Sequence, residues 1–184
     1  NVKSRDITFH NRNLPLLLLR GRELLVAQFR PLLQSQGITE QQWRVVRLLV
    51  EAGSLEPREI GQMCNLSSPS LTGVLARMDA LGLVKRRRFE TDQRRIAVTL
   101  TPRARALAAR LAPRIDATYQ NLRAQLGEEL YAEMLDVMDR VLSAMVEESC
   151  PANRPPEDWD WSEIHKGFVE HFKRPLARSI EELG

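Results

Sequence analysis

The sequence predicts a mainly α-helical chain with one β-hairpin set into it. Three observations carry that expectation. Apolar residues recur at helical spacing from Leu14 to Phe172. One stretch, "IAVTL" at Ile96–Leu100, alternates as a half-buried strand does. Just before it, six of the eleven residues Lys85–Arg95 are Lys or Arg, in a chain whose formal net charge is only +3. Charge gathered around one short turn, with Glu90 and Asp92 at its tip, is more than a solvated surface requires.

At 184 residues the chain suits one domain, or one domain with an appendage, and can bury a sizeable core. Its two cysteines, Cys64 and Cys150, make no disulfide framework. With no secretory pattern recognisable, a reducing cytoplasm is the expected setting. The apolar run Leu16–Leu19 is four residues long before Arg20 interrupts it, against the roughly 20 that a membrane span needs. It reads as part of a buried amphipathic helix, and no membrane partner is expected.

A first helix is expected over 14–34, with Pro15 in its first turn and Gly37 near its end. Thr39, followed three residues on by Gln42, makes a capping box for a second helix that Gly53 ends. A short helix covers about 57–64. Ser68 before Pro69 then reads as cap and first residue of a third, carrying the apolar stripe Leu71, Val74, Leu75, Met78 and Leu81. Gly82 closes that helix as a left-handed cap. Leu83–Phe89 and Arg95–Leu100 are the arms of the hairpin. Thr101-Pro102 caps a long helix to about Leu126, in which Pro113 predicts a kink or a break. Gly127 starts a last core helix carrying Leu130, Met134, Val137, Val141 and Met145. A Pro-rich linker spans 149–158, and 159–184 is an amphipathic extension with Trp161, Ile164, Phe168 and Phe172 on one face. That face is too apolar to be left in water. Docking on the rest of the protein is the preferred reading, and recruitment of another protein the alternative.

Helix, short helix, turn, helix and hairpin, in that order, make a helix-turn-helix with a wing over 39–100. In such a motif the second helix enters the DNA major groove. Opposite its apolar stripe lie Ser70, Gly73 and Arg77, with Ser68 and Thr72 near its start. Small residues let the helix approach closely, hydroxyls reach bases or phosphates, and Arg can fork to a guanine edge. On the wing, Arg86, Arg87, Arg88, Arg94 and Arg95 are placed to flank phosphates or enter a minor groove. Asp92, two residues before Arg94, reads as a brace that fixes a guanidinium and helps form the turn. The plain alternatives are a polar helix face and a solvated hairpin.

"TDQRRIAVTLT", "GLVKRRR" and "LSSPSLTGVLARMDALGLV" together resemble the wing and recognition helix of MarR-family repressors, over about Leu14–Met145. "NLPLLLLRGRE" and "TEQQWRVVRLL" are similar to its HpaR-type branch, regulators of homoprotocatechuate breakdown, and to related regulators of hydroxynicotinate breakdown. The tail after Pro151 departs from that pattern. The resemblance implies a homodimer, with 1–38 and 101–148 as its helical dimerisation region, on a double-stranded, pseudo-palindromic operator. It implies repression of aromatic-acid catabolic genes, relieved by a small hydroxylated aromatic acid of the hydroxyphenylacetate or hydroxynicotinate type. Effectors of the family bind between the dimerisation helices and the DNA-binding lobe.

Candidates for that site are Trp43 and Arg47, on one face with Val46 and Val50, and Arg20 in the first helix. Arg suits a carboxylate and Trp packs on a ring. His10 and Asn13 could reach a ring hydroxyl across the dimer. The plainer reading pairs Arg47 with Glu51 and Arg20 with Glu23. A redox sensor using a cysteine is the rival function, although Cys64 reads as core. The scattered His10, His165 and His171 give no metal-ligand spacing, and no phosphate loop or nucleophile elbow points to an enzyme. No cofactor is expected.

Overall fold

A computed structural model of the chain describes residues 11–88 and 95–147. The elements run α1 (Leu14–Ser35), α2 (Glu40–Ala52), β1 (Ser54–Leu55), α3 (Pro57–Met63), α4 (Ser68–Ala80), β2 (Val84–Arg88), β3 (Ile96–Leu100), α5 (Pro102–Leu126) and α6 (Glu128–Glu147). The helices expected before the linker are all present, and the one expected in the C-terminal extension lies outside the described residues. The hairpin is present too, and its tip falls outside the described residues, as do His10 and the linker.

Local chemistry sets most boundaries. Thr39 Oγ1 accepts from the N–H of Gln42 at 3.2 Å, and Gln42 Oε1 accepts from the N–H of Thr39 at 2.8 Å, completing the capping box. The cap of α4 is Ser67, not Ser68: Ser67 is extended, and its hydroxyl accepts from the N–H of Ser70. Ser68 and Pro69 are therefore the first two helical residues. Proline is tolerated there because the first turn's N–H groups have no intrahelical partner. Gly82 ends α4 at φ +65°; its N–H bonds the Asp79 carbonyl at 2.9 Å and that of Leu83 bonds Met78 at 2.8 Å. Both bonds belong to the left-handed closure expected of glycine.

The sequence predicts two strands, and the described residues form three. Ser54 and Leu55 pair with Thr99 and Val98, so the antiparallel sheet runs β1-β3-β2. Beside them β2 and β3 pair from Val84↔Leu100 to Arg88↔Ile96. Two residues are too short to show a periodicity, which is why β1 was not visible.

One core joins the elements. Val45, Val46, Leu48 and Leu49 of α2 meet Ile60 of α3, Val74 and Met78 of α4, Val98 of β3 and Leu111 of α5, all essentially inaccessible. Helix α5 runs unbroken through Pro113, so of the expected kink or break the break does not occur. Leu111 and Ile115 are buried on either side of the proline, so packing holds the helix across the lost hydrogen bond. Leu81 is not part of the buried stripe but 39% exposed. The stripe of α6 is likewise not core among the described residues: Leu130, Met134 and Val141 are exposed, as are Leu14 and Leu16–Leu19 of α1, contrary to burial of that helix. Periodicity identified an apolar face that the core of the described residues does not cover.

Buried Thr101 joins three elements. Its hydroxyl donates to the Gly82 carbonyl at 2.7 Å and accepts from the N–H of Ala104 at 3.2 Å. Thr101→Val keeps the shape and removes both bonds, so stability is expected to fall by about 2 kcal/mol. Denaturant melts measure this; an unchanged midpoint would contradict it.

Candidate nucleic-acid interface

Helix α4 turns its buried side, Leu71, Val74, Leu75 and Met78, to the core. Ser68, Ser70, Thr72 and Arg77 are exposed on the outer side, together with Ser67, which the sequence reading did not single out. Two hydroxyls are already oriented. Ser67 Oγ lies 2.9 Å from Ser70 Oγ, and Thr72 Oγ1 donates to the Ser68 carbonyl at 2.9 Å. Thr72 keeps lone pairs for a donor and its methyl for an apolar contact. The Arg77 guanidinium lies along the helix over Gly73, where an added Cβ would sit 3.4 Å from Nη1. Glycine therefore leaves that surface low, and Arg77 can swing from it. The turn before α4 is tight: at Gly61 an added Cβ would come within 3.2 Å of the Leu66 carbonyl and 3.3 Å of Leu71 Cδ2. Glycine is what lets α3 and α4 approach this closely.

The wing begins with buried Val84, and after it Lys85, Arg86, Arg87 and Arg88 are all exposed. Successive strand residues face opposite ways, so β2 is basic on both faces. Among the described residues no carboxylate pairs with Arg86, Arg87 or Arg88. Arg94 and the brace Asp92 lie outside the described residues. Arg95, at the wing's base, donates from Nε to Glu56 Oε1 at 2.7 Å, and its Nη2 meets the same oxygen. Glu56 was missed in the sequence, where the two residues stand 39 apart.

The effector candidates separate into two groups. Half-buried Trp43 and Arg47 sit on α2 at the edge of the core. Arg47 Nη1 donates to the Tyr119 hydroxyl of α5 at 3.4 Å, and its Nε lies 3.8 Å from Glu51, the expected pairing. Tyr119 packs on Phe29 of α1, ring centroids 4.8 Å apart. Three helices thus meet here, in a tilted ring pair whose Tyr119 hydroxyl takes the guanidinium of Arg47. Phe29 was not singled out in the sequence, and Tyr119 was read only as part of an apolar stripe. Asn13 and Arg20 are exposed on α1. Asn13 caps that helix, accepting from the N–H of Leu16 at 3.0 Å. Arg20 precedes Phe29 by nine residues, roughly 13 Å along the helix axis. The expected Arg20–Glu23 pair does not form. Glu23 is taken by Arg30 and Arg22, and Arg30 beside it holds its carboxyl below the usual range.

Cys64 ends α3 in the core, and burial pushes its thiol up to about 12, with Arg44 opposing and Glu40 adding to the rise. Among the described residues no three His, Cys, Asp or Glu side chains gather to hold a metal. No described helix is long and apolar enough to cross a membrane.

A helix-turn-helix with a basic wing defines a DNA-binding transcriptional regulator. The model of the MarR family matches residues 36–95. The regulator FarR of Neisseria gonorrhoeae is 37% identical over 121 residues, 66% of this chain and 83% of that protein. The homoprotocatechuate degradative operon repressor of Escherichia coli is 34% identical over 131 residues, 71% of this chain and 88% of that protein. The crystal structure of NadR in complex with 4-hydroxyphenylacetate, 33% identical, has a TM-score of 0.63 and covers 74% of this chain and 97% of that one. The chain belongs to the MarR family of transcriptional regulators, in the branch of the homoprotocatechuate repressor.

The Cys64 environment has a measurable consequence. Its folded pKa is raised from 9.0 to about 12, so between those values the unfolded chain ionises first and this group's contribution to stability falls as pH rises. At neutral pH the buried thiol should resist alkylation. A Cys150→Ser variant, which leaves Cys64 alone, should label at least about 100-fold more slowly when native than in denaturant. Rapid labelling of the native protein would contradict this burial.

Proposed function

We propose that the protein is a homodimeric repressor that binds a pseudo-palindromic operator and is released by a small hydroxylated aromatic acid. The observation that carries the DNA reading is the joint exposure of the hydroxylic face of α4 and a β2 strand that is basic on both faces. Ser68, Ser70, Thr72 and Arg77 read or position the major groove. Arg86, Arg87, Arg88 and Arg94 grip the backbone from the wing, with Asp92 bracing Arg94 and Arg95 at the wing's base. Homodimerisation is supported by the exposed leucines of α1 and the exposed stripe of α6, which need a cover that the described chain does not give them. Pairing through these terminal helices makes 1–38 and 101–148 the dimerisation region and 39–100 the DNA-binding unit.

The effector reading rests on the contacts of Arg47, Tyr119 and Phe29, with Trp43 one turn before Arg47 on α2, and on a relative solved with 4-hydroxyphenylacetate. Arg47 offers a charged fork for a carboxylate, and the rings offer apolar walls. Tyr119 Oη is the group that a carboxylate would compete with for Arg47. In the dimer the partner's His10 and Asn13, which precede its first helix in the sequence, reach a ring hydroxyl of the ligand, and Arg20 offers a second cation. A ligand there stabilises a spacing of the two α4 helices that does not match successive major grooves. It weakens DNA binding by its differential affinity for that spacing. The controlled genes are then those for breakdown of the same acid. A cysteine redox switch is the weaker reading, because Cys64 is buried as a protonated thiol.

A thermal-shift screen of hydroxyphenylacetates, hydroxynicotinates and hydroxycinnamates tests this. One of these acids at 100 times its Kd should raise the melting temperature by several degrees and release DNA. Arg47→Ala should weaken that acid at least about tenfold while the protein still binds DNA. Absence of any shift with all three classes would sink the effector reading.

A further inference from the structure

Arg95 differs from the other described wing arginines. Antiparallel pairing of Ser54 with Thr99 and Leu55 with Val98 carries the end of β1 to the start of β3. Glu56, directly after β1, and Arg95, directly before β3, meet there. Glu56 is itself held: its N–H donates to Glu59 Oε2 at 2.7 Å, and its carbonyl accepts from the N–H of Ile60 at 3.1 Å. Its backbone is therefore fixed at the start of α3, where its carboxylate meets Arg95. Arg95 places Nε and Nη2 on that carboxylate, with 56% of its side chain still exposed.

We propose that Glu56 is a positioning residue for DNA binding: it draws Arg95 onto the protein, and the pair tethers the base of the wing to the first helix of the helix-turn-helix. The proposal rests on the reading of α4 and the wing as the DNA surface. An arginine with two nitrogens on a carboxylate presents a neutralised pair to DNA, not a phosphate clamp. Its work is geometric. The wing meets the backbone through β2, and the tether sets the angle at which it does so, relative to α3 and hence to α4. Arg95 thus moves from the group of backbone-gripping residues to the group that aims them.

Electrostatics alone and the tether predict opposite signs for one substitution. Glu56→Gln removes a negative charge near a polyanion, so charge alone predicts tighter binding. The tether predicts weaker binding, because the wing loses its aim. Gln keeps a side-chain oxygen at the start of α3, so the helix cap survives. An exposed pair adds little to stability, so the melting temperature should move by about a degree or two.

The test uses full-length protein and a labelled duplex that the wild type selects from a random-sequence pool. Affinities are measured across a salt series for the wild type, Glu56→Gln, Arg95→Gln and the double variant. Each single variant should weaken binding about fivefold, and the double variant no further than either single one. The slope of log K against log salt should stay at the wild-type value, because no phosphate contact is lost; loss of a true contact lowers it by about 1. Tighter binding by Glu56→Gln, additive losses, or a slope lowered by about 1 in Arg95→Gln would overturn the tether. A wild type that shows no salt-dependent duplex binding would overturn the DNA reading and the tether with it.

Discussion

The Thr101 hydroxyl sits where three parts of the molecule meet. It holds the carbonyl of Gly82, at the end of α4, and the N–H of Ala104, in the first turn of α5. Its own N–H reaches the Leu83 carbonyl at 3.1 Å, so the end of β3 is closed onto the start of the wing. A buried donor and acceptor of this kind tolerates little displacement, since leaving either group without a partner costs about 1–3 kcal/mol. The end of the DNA-facing helix, the wing and the long helix therefore share one fixed point. The rest of the site takes its position from it.

Helix α2 is the second organising element. Its apolar side fills the core, and its polar residues bond outward in three directions. Glu40 takes Arg22 of α1 at 3.0 Å, Arg44 reaches the Cys64 carbonyl at the end of α3, and Arg47 reaches Tyr119 of α5. The helix carrying the proposed carboxylate ligand group also holds the turn ahead of α4. In the proposed mechanism a ligand that takes Arg47 from Tyr119 acts on an element already connected to the DNA-facing motif. No long chain of small displacements is needed.

Much of this was legible in the sequence, and the features that were not share a cause. Thr39 with Gln42, Gly82, and the alternation of Ile96–Leu100 are local signals, and each fixed its element to within a residue or two. Features that depend on distant pairing left no local trace. Strand β1 exists because β3 is beside it. Glu56 and Arg95 stand 39 residues apart, and Arg47 and Tyr119 stand 72 apart. Pro113 was read from its lost hydrogen bond, but tertiary packing decided the outcome. The α6 stripe was read as core because a pattern shows which face is apolar, not which chain covers it. The outer face of α4 followed by elimination once its buried stripe was known, and Ser68, Ser70, Thr72 and Arg77 are exposed on it.

The central claim is that two copies of one winged helix-turn-helix grip one operator with two-fold symmetry. Hydroxyl-radical and guanine-methylation footprinting on a duplex selected by the full-length protein tests it most directly. The account predicts two symmetry-related sets of major-groove protection about one helical turn apart, with backbone protection by the wings on their outer flanks. A single protected patch without a symmetry mate, or protection spread evenly along the duplex, would contradict it.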